Sequence, residues 1–352
     1  MQAAANDAPS RGARGLLDDH FESEALAELL GTRDAAALSL ARGATWPALA
    51  ELLARPGKGV RAEMVELCYA IAGEACARAG GRSATPPPPL RPELPQLVEL
   101  LHAGSLIIDD IEDNALSRRG APALHRLIGP PRAINAGNFL YFLPLLALEE
   151  LEPDQAVALA MHRQVARSLL RCHHGQALDL SLRVFEMPRS ALRATAELCS
   201  SLKTGALLEL GCALGALAGR APPSLQRALL RFGGEMGTTL QMLDDLSGFL
   251  NPSRMAKGLE DLLAHRPTWA WALAAEHADD ATVAGWQELS RAQAAGQTAL
   301  LYEKLARRLD AARELPRQRL ERALAALSEE AGALPSFAAL ADAARSLEEA
   351  YV

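Results

Sequence analysis

Residues 99–129 read ELLHAGSLIIDDIEDNALSRRGAPALHRLIG, and this stretch decides the fold. Asp109 and Asp113 are four residues apart, so on an α-helix they stand one above the other on one face. The apolar run Leu106-Ile107-Ile108 precedes them, and Arg118-Arg119-Gly120 follows with two fixed charges and a chain breaker. Carboxylates at helical spacing make a hard-oxygen site suited to Mg²⁺, which keeps waters and shares its shell with substrate phosphates. Arginine's planar donor fork matches phosphate oxygens. An acidic turn on a solvated helix face is the competing reading. It loses ground because the acids interrupt an apolar helix, where unpaired charge is costly without a cation.

Composition narrows the class. The chain has 352 residues, 49% of them apolar and only 4% aromatic, so leucine and alanine carry the packing, as in helical bundles. A net charge of −7 gives no support to a nucleic-acid partner. Cys68, Cys76, Cys172, Cys199 and Cys212 form no CxxC pair, which fits buried thiols in a reducing compartment. Residues 1–20 lack the apolar core of a signal peptide and read as a disordered extension. The most apolar run, Phe139 to Leu148, is too short for a bilayer span of about 20 residues and contains Pro144. The expectation is a cytoplasmic protein with no integral membrane segment.

Helical spacing continues on both sides of the acidic stretch. Leucines and alanines from Phe21 to Leu53 recur at that spacing, with a break expected at Gly43 to Pro47. Pro56-Gly57-Lys58-Gly59-Val60-Arg61 marks a loop entering a helix, where two cations at a helix N-terminus can receive an anion; a solvated basic turn accounts for them too. Six prolines between Gly80 and Pro95 mark an exposed loop. The acidic helix is expected from Gln96 to about Ser117, with His102 two turns before Asp109 as a satisfied polar group or a ligand. Residues 135–148, NAGNFLYFLPLLAL, read as a buried helix. His173 and His174 are adjacent and point different ways, so a shared metal is not expected. Lys203-Thr204 falls mid-helix, either snorkelling or aimed at a phosphate.

A second focus lies in residues 232–262, FGGEMGTTLQMLDDLSGFLNPSRMAKGLEDL. Gln241 and Asp244-Asp245 interrupt another apolar helix, and Lys257 and Asp261 open the next segment. If Asp109 and Asp244 face one cavity, opposed carboxylate walls would hold Mg²⁺ around one diphosphate, with the metal as Lewis acid and Arg and Lys donors adding electrostatic stabilisation. The apolar faces beneath would line a dry pocket for a hydrocarbon tail. The implied chemistry is ionisation of an allylic diphosphate. No strand alternation is evident. From Pro267 onward the charged residues read as solvated faces of helices.

From about Pro56 to Thr268 the chain resembles the trans-isoprenyl diphosphate synthase (polyprenyl synthetase) family, with several motifs in order. Gly57-Lys58 and Arg61 resemble the family's GKxxR segment, which with His102 grips isopentenyl diphosphate. Asp109, Asp110 and Asp113 match the first DDxxD motif, Asp109 and Asp113 as Mg²⁺ ligands with Asp110 behind them. Arg118 resembles the arginine that contacts the allylic diphosphate, and Arg119 the one that contacts isopentenyl diphosphate. Lys203, Thr204, Gln241 and Lys257 match positions around the allylic diphosphate and metals. Asp244 matches a further Mg²⁺ ligand, backed by Asp245. The resemblance implies an all-α, isoprenoid synthase-type helical bundle around a central apolar cavity, three Mg²⁺ ions, and a homodimer. It also implies a transferase that condenses isopentenyl diphosphate with an allylic diphosphate.

The pattern has departures. Residues 244–248 read DDLSG, so the last acid of the second motif is absent; KGVRA stands where KRLRP is usual; and Asn138 stands where the family commonly has Asp. Early-stopping members place aromatic rings four or five residues before the first Asp. Ser105 and Gly104 stand there, so the resemblance implies an open floor and a twenty-carbon product (geranylgeranyl diphosphate) or longer. A class I terpene cyclase shares the fold and the ionisation step, but it would not need Lys58, Arg61 and His102. A non-catalytic partner subunit would be expected to lose the first acidic motif. A di-iron bundle needs paired Glu-x-x-His motifs, and Glu99 to His102 is the one present. Residues 21–352 are expected as one catalytic domain, with 286–352 an additional helical part.

Overall fold

The structure, a computed structural model, describes residues 11–80, 86–292 and 295–351. It is all-α: 82% of it is helical. The first helices are α1 (Arg11–His20), α2 (Ser23–Leu30), α3 (Ala35–Leu53) and α4 (Val60–Gly80). Next come α5 (Leu94–Glu112), a hairpin of β1 (Ser117–Arg118) and β2 (Ala121–Pro122), α6 (Leu124–Ile128), α7 (Pro130–Leu151) and α8 (Gln155–Ser181). Then follow α9 (Arg189–Ser200), α10 (Ala206–Ala218), α11 (Pro223–Leu250) and α12 (Met255–Leu263). The last are α13 (Trp269–Glu276), α14 (Asp280–Arg291), α15 (Ala295–Leu309), α16 (Leu315–Ala331) and α17 (Pro335–Glu349).

Three apolar clusters carry the packing. One gathers α1, α3, α5 and α7 around Leu97, Leu101 and Leu140. A second joins α4, α10, α11, α16 and α17 around Met64, Phe232 and Leu324. The third, around Trp269 and Trp271, joins α9 and the end of α11 to α12–α15. Arg189–Ala218 is long and apolar enough to cross a bilayer, but 67% of its most apolar window is buried inside the protein.

Several local expectations are corrected. The extension expected to be disordered forms α1 over residues 11–20. Ala13, Leu16 and Leu17 are buried, and Trp46 Nε1 of α3 donates to Asp18 Oδ1 at 2.8 Å. Residues 1–10 lie outside the described residues, as do 81–85 of the proline-rich loop. The helix does not break at Gly43 to Pro47: α3 runs through both, and Gly43 is exposed, so water can reach the carbonyl that Pro47 cannot pair. The break falls instead at Gly31 (φ 64°), and Asp34 Oδ1 then caps α3 by accepting from Ala37 N at 2.8 Å. Residues 135–148 are not wholly buried, because α7 shows Phe142 (68%) and Leu146 to solvent.

The acidic helix stops at Glu112 rather than at Ser117. The hairpin β1–β2 follows, with Arg119 (φ 52°) and Gly120 (φ 76°) at its centre. Two consecutive positive φ values make the tight turn whose twist suits a hairpin. Two-residue strands are too short to show alternation, so the sequence pattern could not disclose them.

Candidate active site

Asp109 and Asp113 lie on the last turn of α5 and at its C-cap. Asp109 accepts from Gln176 Nε2 at 3.0 Å, and lies 3.7 Å from Arg118 and 3.9 Å from Lys203. Asp110, on the buried side, takes two bonds from the Arg118 guanidinium, Nε at 2.8 Å, so the hairpin is clamped to the helix by that pair. Burial opposes the Arg118 charge, yet the bond to Asp110 and the fields of Asp109 and Asp113 hold its pKa above the ordinary value. Asp113 pairs with Arg266, which also lies 3.2 Å from Asp179. Burial pushes the Asp113 carboxyl up, against the pull of Arg266.

Lys203 and Thr204 sit on a π-helical turn, Ser201–Gly205, between α9 and α10. Such turns insert a residue into a helix and re-aim its side chains. There is no room for a side chain beside it: a Cβ on Gly237 of α11 would stand 2.6 Å from Gly205 Cα. From this turn Lys203 donates to Asp179 at 2.7 Å, while Thr204 Oγ1 donates to Gln241 Oε1 at 2.7 Å. Gln241 in turn donates to Asp245 at 2.8 Å. One turn of chain thus touches both acidic clusters.

Asp244 pairs with Arg254 at 2.9 Å and Lys257 at 3.1 Å, and Lys257 also donates to Asp261 at 2.9 Å. Burial opposes the Lys257 charge, but Asp261, Asp244 and Asp245 raise its pKa regardless. Asp245 is buried and accepts from Trp269 N at 2.9 Å; burial, then Asp261, push its carboxyl to about 7. Arg266 acts on Asp261 as well as on Asp113 and Asp179, so the two clusters share one field. The acid missing after residue 245 has a steric reason. A Cβ on Gly248 would stand 2.7 Å from Gly258 N, because α11 and α12 cross there backbone to backbone.

Arg61, His102 and Arg119 form a separate group, and Lys58 reaches the ring of Tyr351, which also acts on Arg61. Arg61 opens α4, and its backbone N–H donates to Glu99 Oε1 at 3.2 Å. Burial lowers the Arg61 pKa, and its Nε is buried without a partner. His102 is held well below its ordinary value, by burial first and then by Arg61, Arg119 and Arg118. Arg119 lies against Gly57, whose Cβ would meet the guanidinium at 3.2 Å. Burial pulls the Arg119 pKa down. Lys58 is exposed on the loop before α4. Arg61 and Arg119 beside a neutral imidazole, with Glu99 as their counter-charge, make a pocket short of negative charge; Arg118 adds its field but is paired with Asp110. Such a pocket recruits a multiply charged anion.

Gly104 and Ser105 part company. Ser105 lies on the face of His102 and Asp109, with its hydroxyl donating to the His102 carbonyl at 2.8 Å. Gly104 faces α7 instead: a Cβ there would stand 2.9 Å from Gly137 O. The expectation that Gly104 lines an open pocket is therefore corrected to a helix crossing.

The donor set suits a hard cation. Asp109, Asp113 and Asp244 present carboxylate oxygens, and each is met by Arg or Lys, as carboxylates short of positive charge require. Among the described residues no three ligand side chains converge to cage a metal alone. Gln176, Asp179, Arg254 and Arg266 went unread in the sequence as site residues. Gln176 and Asp179, three apart on α8, carried a helical-spacing signal; Arg254 and Arg266 carried none, since their partners are distant in the chain.

The chain is similar to known proteins in sequence and in fold. Over 211 residues the chain is 31% identical to geranylgeranyl pyrophosphate synthase 2 of Zymoseptoria tritici, covering 59% of this chain and 58% of that protein. The chain spans little more than half the length of the curated relatives it matches. The crystal structure of geranylgeranyl pyrophosphate synthase from Lactobacillus brevis superposes with a TM-score of 0.75 at 21% identity, covering 96% of each chain. The Corynebacterium glutamicum enzyme of that name, complexed with isoprenyl diphosphate and magnesium, gives 0.74 at 21% identity, covering 97% of this chain and 98% of that one. These likenesses show the fold. The polyprenyl synthetase family model matches residues 46–305, most of the chain, and the chain belongs to that Mg²⁺-using family.

Proposed function

We propose that this chain is a prenyltransferase that condenses isopentenyl diphosphate with an allylic diphosphate into an all-trans prenyl diphosphate of twenty carbons or longer. The observation that carries this reading is the Ser201–Gly205 turn, which ties Asp109 through Lys203 and Asp245 through Thr204 and Gln241 into one site. Beside that site stands the second cation group at His102.

Asp109, Asp113 and Asp244 would hold Mg²⁺, three ions in the full site, with Asp110 and Asp245 fixing the geometry behind them. When bound, the metal supplies Lewis-acid neutralisation of a leaving diphosphate. Arg118, Lys203 and Lys257 grip the allylic diphosphate and favour the charge it gains as its C–O bond breaks and the electron pair leaves with it. Lys58, Arg61, His102 and Arg119 hold isopentenyl diphosphate so that its double bond attacks the allylic carbon. The proton lost afterwards goes to the released diphosphate. His102, kept neutral, donates to the diphosphate without adding charge.

A homodimer is part of this reading, supported by the apolar side chains that α7 and α8 show to solvent: Ile134, Phe142, Leu146, Leu159 and Leu170. A cytoplasmic location and a single catalytic domain over residues 21–352 also belong to it; the free thiols support the former. The cation group at His102 favours elongation over cyclisation, since a cyclase has one diphosphate to bind. The test is incubation with Mg²⁺, isopentenyl diphosphate and allylic partners, with products sized by chromatography. Elongated diphosphates are expected, and Asp109→Ala should lower the rate by two orders of magnitude or more. Hydrocarbon released from an allylic diphosphate alone, or a fully active Asp109→Ala enzyme, would overturn the reading.

A further inference from the structure

Tyr351, just past α17, is outside the motifs of the chain and yet touches the site. Its ring lies under the Lys58 ammonium, with Nζ 4.1 Å from the centroid, and Arg254 approaches it with Cζ at 5.7 Å. Its position is fixed from behind. Leu340, Ala341 and Ala344 bury α17 against the core, and Ser336 bonds Glu74 of α4 through its hydroxyl (2.6 Å) and backbone (3.0 Å). The ring also packs on the cluster of α11 and α16, beside Leu243, Leu246 and Pro316. Lys58, by contrast, stands exposed on an irregular loop that turns through Gly59 (φ 63°). An exposed lysine on an irregular loop thus meets a ring packed against the core. Because a cation over an aromatic face uses one side of the ammonium, its remaining N–H groups stay free to donate.

We infer that Tyr351 is a positioning residue that holds Lys58 over its ring, so that the ammonium is pre-aimed at the isopentenyl diphosphate. The inference rests on the reading that Lys58 belongs to that substrate's site. Ordering Lys58 in advance removes a cost that binding would otherwise bear. Arg254 reaches the same ring from the greater distance of 5.7 Å and is held independently by Asp244.

The test is steady-state kinetics on the full chain with Tyr351→Ala, Tyr351→Leu, Tyr351→Phe and Lys58→Ala, each checked by thermal melting. Tyr351→Ala and Tyr351→Leu should raise KM for isopentenyl diphosphate about two- to fivefold, the worth of an exposed cation–π contact. kcat and KM for the allylic partner should stay unchanged. Tyr351→Phe, which keeps the ring, should match the parent. In a Lys58→Ala background, Tyr351→Ala should add nothing. A normal KM in Tyr351→Leu means that packing alone acts, and overturns the inference, as does an unchanged or lowered KM in Tyr351→Ala. If Lys58→Ala leaves that KM unchanged, the reading of the substrate site fails. If Lys58→Ala raises it and the Tyr351 variants do not, the inference alone fails.

Discussion

Replacing Arg266 by Met tests whether the cations of this site stand in for a metal. The guanidinium is 19% exposed and sits between Asp113 (29%) and Asp179 (12%). Stripping the partner from a fully buried charge costs about 3–5 kcal/mol, while a surface pair is worth about 0–1 kcal/mol. The exposures here fall between those limits, which sets the loss near 2 kcal/mol. Methionine keeps much of the stem's packing, so the loss is largely electrostatic. Unfolding entropy of about 2.1 cal/mol/K per residue over this chain gives roughly 0.7 kcal/mol/K, so the metal-free melting temperature should fall by about 3 °C. With saturating Mg²⁺ and inorganic pyrophosphate the deficit should vanish, because the metal takes over the neutralisation of Asp113. Differential scanning fluorimetry under both conditions reads the outcome. A variant as stable as the parent without metal refutes the reasoning, and so does a deficit that persists or grows with metal and pyrophosphate.

Asp245 gives a pH dependence. Its folded value near 7 exceeds the ordinary carboxylate value, so the fold binds a proton that the unfolded chain releases between pH 4 and 7. Its contribution to stability is therefore fullest below about pH 4 and is lost as pH rises through about 7, by up to about 4 kcal/mol. Urea melts of metal-free protein should show Asp245→Asn gaining on the parent across that window; parallel curves would refute the assignment. Product length should depend on Ser105 and not on Gly104. Ser105→Phe, on the face of Asp109, should shorten the product seen by chromatography, and unchanged products would sink the pocket reading. Gly104→Phe should instead cost folding, since even a Cβ meets the Gly137 carbonyl at 2.9 Å.

The long helices were legible because burial imposes a 3.6-residue period on them, and polar residues that break the period stand out. Asp109, Asp113, Gln241 and Asp244 each interrupt an apolar run, and the structure gathers them at one site. What stayed hidden depends on distance in three dimensions. Arg266 reads as one more charge on a solvated face, yet it closes the gap between α5 and α8. Gly248 reads as a lost carboxylate until the crossing with Gly258 shows that no side chain fits there. The hairpin that carries Arg118 and Arg119 has strands too short for a pattern; its signal was the positive-φ demand at Gly120 alone.

The spacing of charge explains why a site with so many acids and bases folds without its ligands. Asp109, Asp110, Asp113, Asp179, Asp244 and Asp261 each face Arg118, Lys203, Arg254, Lys257 or Arg266, so these six carboxylates are paired before any ligand binds. On the proposed reading, loading the site is then an exchange of partners. A divalent ion and a diphosphate bring opposite charge: the metal takes over carboxylates from their cations, and the diphosphate receives Arg118, Lys203 and Lys257. Such an exchange keeps the pocket near neutrality at each stage, so neither ligand gains its full affinity alone. Metal and diphosphate should therefore bind cooperatively, and the cations nearest the acids set how strongly.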